Sequence, residues 1–445
     1  MGSRLRSVAL LGVLVLMTAA CDWTMVGFSA GRSGFNLFEN SITPTNVGAL
    51  AEKWHAAAGS GSSAPVVAGG RVFVTTQPVG TTPGEVQEYD TAGLAHCDGA
   101  SPALCDPGWR HAMEVVGPVS APLVGGDRVW AGGSIDSYVT LPDGTVTEFP
   151  TTTRYGGAFT PATGDPLGDH LQGISGNGVY SDGKLYGYDS VPLIGFVPRF
   201  QVLPGLAIHD IAGSTISNEL FVNVRGTPPT VAQGVIYLVT SSGDLTVRGS
   251  GPLPSGQCVP FQDGYILFVS CAPNWTVHLQ AGVAWDGLVT VAKGLGYVPE
   301  LNGTVEVFAT TPCGLATCPV AWTAHAGSVH LGAVAVTDTT MFVSSDDGHL
   351  YAFNAAGCGA ATCEPEWTAS LPSGPHTPSV AGSVLFVGTN DGTLAAYNAD
   401  GCGSSTCNPL WSRNVGAPIT TAPAISDGHV FVTDTNGTLH AFGLT

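Results

Sequence analysis

Ten cysteines stand in five short-range pairs along this 445-residue chain, and thiols so spaced can form disulfides, hold zinc or carry redox chemistry. Cys97 precedes Cys105 and Cys258 precedes Cys271. Cys313 and Cys318, Cys358 and Cys363, and Cys402 and Cys407 share a C-x4-C spacing in "CGLATC", "CGAATC" and "CGSSTC". Zinc knuckles use closer spacing, and no histidine is paired with these cysteines. No Lys, Arg or His stands in register to lower a thiol pKa, so a reactive dithiol lacks its activating charge. Disulfides are therefore expected, each closing a solvent-facing loop and worth on the order of 2 kcal/mol by chain entropy. Such bonds persist in an oxidising compartment. The eleventh cysteine, Cys21, has no mate.

Other chemistry-bearing residues form no convergent set. Asp346, Asp347 and Asp391 are acidic enough for calcium, but "DDG" and "NDG" are the spacing of hairpin turns. His55, His111, His325, His330, His349 and His440 recur at no shared position, so they read as solvated or core histidines. No nucleophile-elbow motif is present to support a hydrolase. The glycine-rich strings open no helix and are turns, not phosphate loops.

The amino end explains the odd cysteine. Arg4 and Arg6 precede an apolar run, Val8 to Met17, which is too short to span a bilayer stably and has the layout of a secretory signal. Ala19 and Ala20 before Cys21 resemble the bacterial lipobox, in which the cysteine is diacylated and becomes the first mature residue; Thr18 stands where leucine is usual. The alternative is ordinary signal cleavage. Loss of the signal leaves 12 Lys and Arg against 33 Asp and Glu, a net charge of -21, and with no basic cluster the chain is no nucleic-acid binder. In a bacterial protein the sequons at Asn274, Asn302 and Asn436 carry little meaning.

Internal repeats must position all of these groups. "PSVAGSVLFVGTNDGTLAAYNADGCGSSTCNPLW" and its neighbours read as strand, turn, strand, turn, strand, with a fourth strand starting at the tryptophan. Phe342, Phe386 and Phe431 mark the central strands. Asp347-Gly348, Asp391-Gly392 and Asn436-Gly437 suggest type I′ hairpins. Units start at Ala64, Ala121, Ile174, Pro228, Val283, Ala333, Thr377 and Thr421, and this spacing predicts propeller blades. Trp109, Trp275, Trp322, Trp367 and Trp411 each follow a cysteine by four residues.

The unit spanning Pro378 to Trp411 resembles the PQQ-like repeat of quinoprotein-type β-propellers, and "WTMVGFSAGRSGFN" from Trp23 with the following "NVGALAEKWHAAAG" resembles that family's opening. The resemblance implies that Trp54, Trp109, Trp275, Trp322, Trp367 and Trp411 dock between adjacent blades, with Trp54 belonging to the first. Enzymes of the family hold pyrroloquinoline quinone and calcium in the channel and often use adjacent cysteines. No two cysteines are adjacent here, and about 390 residues over eight blades leave little room for cofactor-building insertions.

The expected architecture is an all-β, eight-bladed propeller of four-stranded antiparallel blades, with seven blades as the alternative. It divides into a signal at 1–20, a tether and entry segment at 21–53 and the propeller at 54–445, with strand Thr438 to Leu444 completed by the amino-terminal segment. "SIDSYVTLPDGTVTEFPTTTRYGG" is expected to project as a long loop of the second blade. The functional expectation is a monomeric, non-catalytic binding or scaffolding lipoprotein without cofactor or metal. It would be anchored through Cys21 on the outer side of the cytoplasmic membrane, or else be periplasmic or extracellular, and engage another envelope protein, in the manner of the lipoprotein propellers of outer-membrane assembly. The alternatives are a quinoprotein oxidoreductase using PQQ and calcium, and a ligand-binding sensor ectodomain.

Overall fold

The computed structural model describes residues 21–445 apart from 114, 116–117, 141–145, 173–177, 194–200, 211–216, 223–226, 241–242, 250–257, 264–265, 272, 282–287, 328–329, 373 and 375. The expected signal and the unit starts Ile174 and Val283 lie outside the described residues. The described strands form eight sheets, each built on a four-stranded antiparallel meander. In the seventh, Ser379–Ala381, Val384–Gly388, Thr393–Asn398 and Trp411–Asn414 run from the inside outward. The innermost strands start at Val66, Leu123, Val179, Thr230, Thr290, Ala335, Ser379 and Ala424; each touches the next, and the last touches the first. This is a closed propeller ring.

Apolar alternation drives the stacking. A twisted four-stranded sheet with two apolar faces must bury both, and packing sheet against sheet around an axis does so without leaving an end sheet exposed. Phe342, Phe386 and Phe431 are fully buried between sheets. Buried hydroxyls lock the inner ring from one sheet to the next. Thr75 Oγ1 donates to Ser120 O at 2.7 Å, Thr290 Oγ1 to Val334 O at 2.9 Å, Ser379 Oγ to Pro423 O at 2.7 Å and Thr433 Oγ1 to Ser63 O at 2.9 Å.

Leu50–Ala57 closes the ring as the fourth strand of the eighth sheet, antiparallel to Thr438–Leu444 with Trp54 opposite Ala441. The amino end thus completes the last sheet, as expected, and Trp54 belongs to that closing sheet rather than to the first blade. At this seam His440 is buried, with Nδ1 2.8 Å from Glu52 Oε1 and Nε2 3.3 Å from Asp434 Oδ2. The hydrogen bond to His440 holds the Glu52 carboxyl below its usual range against the opposing effect of burial. Both ring nitrogens face carboxylates, so this is a latch between the two chain ends.

Three local expectations change. The type I′ turns join first and second strands: Asp182-Gly183 and Asp427-Gly428 both have positive φ at each residue, and Ser181 faces Lys184 directly across the pair. At the Asx-Gly sites only glycine has positive φ, and Ser345 faces His349 across a three-residue connection, 346–348. The extra residue spares Asp347 a positive φ while its carboxylate caps the turn. The long loop expected in the second blade is instead two paired strands, Arg128–Thr140 and Val146–Phe159.

The third change concerns the cysteines. Cys97–Cys105, Cys313–Cys318, Cys358–Cys363 and Cys402–Cys407 are disulfide-bonded, and Cys258 lies opposite Cys271 across the hairpin Cys258–Asp263 and Ile266–Cys271. Their loops are not simply solvent-facing. Thr317–Cys318 pairs in parallel with Trp275–His278 of the preceding sheet, Thr362–Cys363 with Trp322–His325, and Ala103–Leu104 with Leu50–Ala57. Cys105, Cys318, Cys363 and Cys407 are buried there. Each cystine loop therefore covers the neighbouring sheet's open outer edge, where unpaired backbone groups would otherwise invite aggregation. Replacing Cys402 and Cys407 together with alanine should lower stability by about 2 kcal/mol in urea unfolding; no change in midpoint would show that the loop is held without its cystine.

Candidate functional site

The innermost strand of a blade has one edge with no neighbouring strand, so a ring of eight leaves unpaired N–H groups facing the axis. The segment Trp23–Asn36 supplies partners for them. Val67 N donates to Trp23 O at 2.8 Å, Val124 N to Thr24 O at 2.8 Å, Val231 N to Ala30 O at 2.9 Å, Val291 N to Gly31 O at 2.8 Å, Val336 N to Ser33 O at 2.8 Å and Val380 N to Gly34 O at 2.8 Å. Asn36 Nδ2 reaches Ile425 O at 3.0 Å, and Met25 packs in one apolar cluster with Val179. The segment expected as a tether is thus a plug that binds the inner strands of all eight sheets.

Arg32 fixes the plug from within. It is buried, with Nε and Nη2 donating to Pro229 O at 3.2 and 3.1 Å and Nη1 to Val26 O at 3.3 Å. Burial pushes its guanidinium down to about 9, still protonated at neutral pH. Three carbonyl contacts compensate part of the desolvation.

Beyond the plug the channel remains open as an axial cavity of about 740 Å³. Its floor is Val26, Gly27, Arg32 and Gly34, and Ser62, Ser63, Ser120, Thr290, Thr377 and Thr421 face it from the first strands and their approaches. Two polar pairs mark the mouth on neighbouring sheets. His330 Nδ1 lies 3.5 Å from Asp346 Oδ2, and His376 Nε2 lies 2.7 Å from Asn390 Oδ1. Gln77 is held across the mouth, donating through Nε2 to Val119 O and accepting from Val119 N, each at 2.8 Å.

The described residues of this wall do not fit pyrroloquinoline quinone with calcium. Among the described residues Asp346 is the one carboxylate on it, no Trp, Tyr or Phe lines it for stacking, and the Asn390 oxygen faces His376. Among the described residues no group of three His, Cys, Asp or Glu is arranged to hold a metal.

Of the residues singled out by sequence, His330 and Asp346 stand at this mouth and the others lie elsewhere. Trp54 Nε1 donates to Thr91 O and Trp109 Nε1 to Pro161 O, both at 3.0 Å and both in the following sheet, while Trp275 packs on Phe308 and Trp411 on Phe442. Trp322 and Trp367 lie against Gly357 and Gly401 of the following sheet. Each of the six thus touches the following sheet, and none of them lines the cavity. Asp347 Oδ1 accepts from His349 N at 3.0 Å and Asp391 Oδ1 from Thr393 N at 3.1 Å, the turn roles expected of them. Cys21 is a free, partly exposed thiol at the plugged end, raised in pKa by burial and then by Glu39, Asp427 and Asp22. The mouth pair His376 and Asn390 was missed. Its signal is weak: a histidine just before a first strand and an amide in the turn after the second.

Residues 316–403 and 359–444 match the family model described as outer membrane protein assembly factor BamB. No curated protein matches the chain in sequence. Among solved structures, BamB from Moraxella catarrhalis is 15% identical, with 88% of this chain and 97% of that one covered at a TM-score of 0.54. The quinohemoprotein alcohol dehydrogenase from Comamonas testosteroni is 13% identical, with coverages of 96% and 81% and a TM-score of 0.60. The computationally designed protein Ika8 is also 13% identical, covering 88% and 99% at 0.57. These likenesses concern the fold.

Proposed function

We propose that this chain, a PQQ-like propeller repeat protein, works outside the cytoplasm as a non-catalytic, lipid-anchored binding platform for another envelope protein. The cavity wall carries this reading: small hydroxyl side chains, backbone and two internally paired histidines, with, among the described residues, no base facing a nucleophile and no set of calcium ligands. The cystine loops support an oxidising compartment, and the likeness of residues 316–444 to the BamB family model supports an envelope partner. Diacylation of Cys21 would supply the anchor, and the net charge of -21 after signal removal argues against nucleic acid.

Three measurements test it. Growth with radioactive palmitate should label the wild-type chain and leave Cys21→Ser unlabelled; label retained in that variant removes the anchor. Protein reconstituted with PQQ and calcium should show neither a quinone absorbance nor dye reduction with alcohols or sugars. Dye reduction that depends on both additions would replace this reading with the oxidoreductase. A mild cross-link in membranes should trap one envelope protein, and Asn390→Ala with His376→Ala would reveal whether the cavity mouth contributes.

A further inference from the structure

We infer that the plugged end of the ring is a bilayer-docking face, pressed directly against lipid rather than held off on a flexible tether. The inference rests on reading residues 1–21 as an export and anchoring segment, and its remaining support is topological. In an antiparallel meander the turn between strands one and two and the connection between strands three and four lie at the same end of the sheet. The plug leaves the channel at that end. Phe35–Asn36 runs parallel to Ser379–Ala381 toward the turn at Gly382, and Glu39 Oε2 accepts from Gly428 N at 2.8 Å in the corresponding turn of the eighth sheet.

The exposed large apolar side chains concentrate there. Leu37 and Phe38 emerge beside the plug. Leu94 and Leu104 lie in the third-to-fourth connection of the first sheet, Leu315 in that of the fifth and Leu410 in that of the seventh, and Leu167 opens the fourth strand of the second. Their exposures run from 41% to 87%. Of the exposed large apolar residues among the described ones, only Val79 and Leu301 sit at the opposite end, in connections between second and third strands. An apolar surface biased to one end of a ring calls for a cover.

The chain's own path indicates which cover. Processing after Ala20 would remove the apolar run Val8–Met17 and leave the acyl chains on Cys21 itself. Cys21 is pinned to this end: its carbonyl accepts from Asn36 Nδ2 at 2.8 Å, its Sγ lies 3.4 Å from Phe38 O, and the next residue, Asp22, accepts from Gly69 N at 3.2 Å. Asn36 is itself buried and bonded to Ile425 O. No slack therefore separates the acylated Cys21 from Leu37 and Phe38. With a net charge of -21 the protein gains nothing from anionic headgroups, so contact is apolar and expected on neutral lipid. The open mouth of the axial cavity then faces away from the membrane, toward soluble or periplasmic partners.

Hydrogen exchange on the lipidated full chain, with and without phosphatidylcholine vesicles, reads the face directly. Slowed exchange is expected at 37–41, 92–104 and 313–317, with 77–83 and 300–303 unchanged. Protection at the second set, or none at either while the protein floats with the vesicles, overturns the docking face. Failure to float condemns the anchor instead. In that event the Cys21→Ser protein decides: the same pattern should return at higher lipid concentration, and Leu37→Ser with Phe38→Ser should weaken its vesicle partition about tenfold. A Cys21→Ser protein unaffected by any concentration of vesicles also overturns the inference.

Discussion

A valine at Gly93 is expected to destabilise the ring by about 2–5 kcal/mol, the sum of a left-handed backbone imposed on a β-branched residue and an overpacked joint. Gly93 has φ +63°, and an added Cβ would lie 2.3 Å from Trp54 Cδ1 and 2.8 Å from Cγ. Trp54 cannot yield easily. It is 1% exposed, its Nε1 is bonded to Thr91 O, and its ring lies between Tyr89 and Phe431 at the seam where the chain ends meet. Gly314 is the control, because it has φ +81° with nothing within 4 Å of a built Cβ. Gly314→Val should cost only the backbone part, about 1–2 kcal/mol. Urea midpoints of the two variants separate the effects, and equal losses would show that the tryptophan joint does not resist intrusion.

The second large effect is a dependence on pH. Glu306 is 1% exposed and neither carboxylate oxygen makes a hydrogen bond of good geometry, though the Gln280 backbone N–H favours its charged form; Glu300, equally buried, leaves Oε2 unpartnered. Burial first, and then the charge of Glu300, push Glu306 up to about 7, against the Gln280 backbone N–H and, more weakly, His278. The folded state therefore keeps a proton that the unfolded chain releases near 4.5. Stability is fullest below that pH and falls as pH rises through about 7, by up to about 3 kcal/mol. Asp22, raised by burial to about 6, acts in the same sense. Glu306→Gln should therefore raise the urea midpoint at pH 8, leave it nearly unchanged at pH 4 and flatten the decline between them. A parallel decline in wild type and variant would mean that the penalty lies elsewhere.

Much of the ring was legible because its signals are local. Alternating Phe386 with Val and Leu defines a strand without reference to anything distant, and a Trp four residues after each second cysteine marks where the fourth strand begins. Turn type was less legible. Asx-Gly is compatible with both a two-residue and a three-residue connection, and register across the pair, Ser345 opposite His349, decides between them. Glu306 gave no warning at all. In sequence it is an ordinary polar residue of a strand, and its burial depends on which neighbour covers that face.

By itself the sequence determined the repeat, the cysteine pairing and the meeting of the two chain ends, since each depends on residues close in the chain or on the need of a ring to close. Only the tertiary structure decided what the amino-terminal segment does. Nothing in Trp23–Asn36 signals that its carbonyls will meet Val67, Val124, Val231, Val291, Val336 and Val380, because those donors converge only when separate sheets stand around one axis. The same holds for the cystine loops. Their spacing announces a bond, but that each lies along the neighbouring sheet's edge follows from the order of blades in space, which no local pattern encodes.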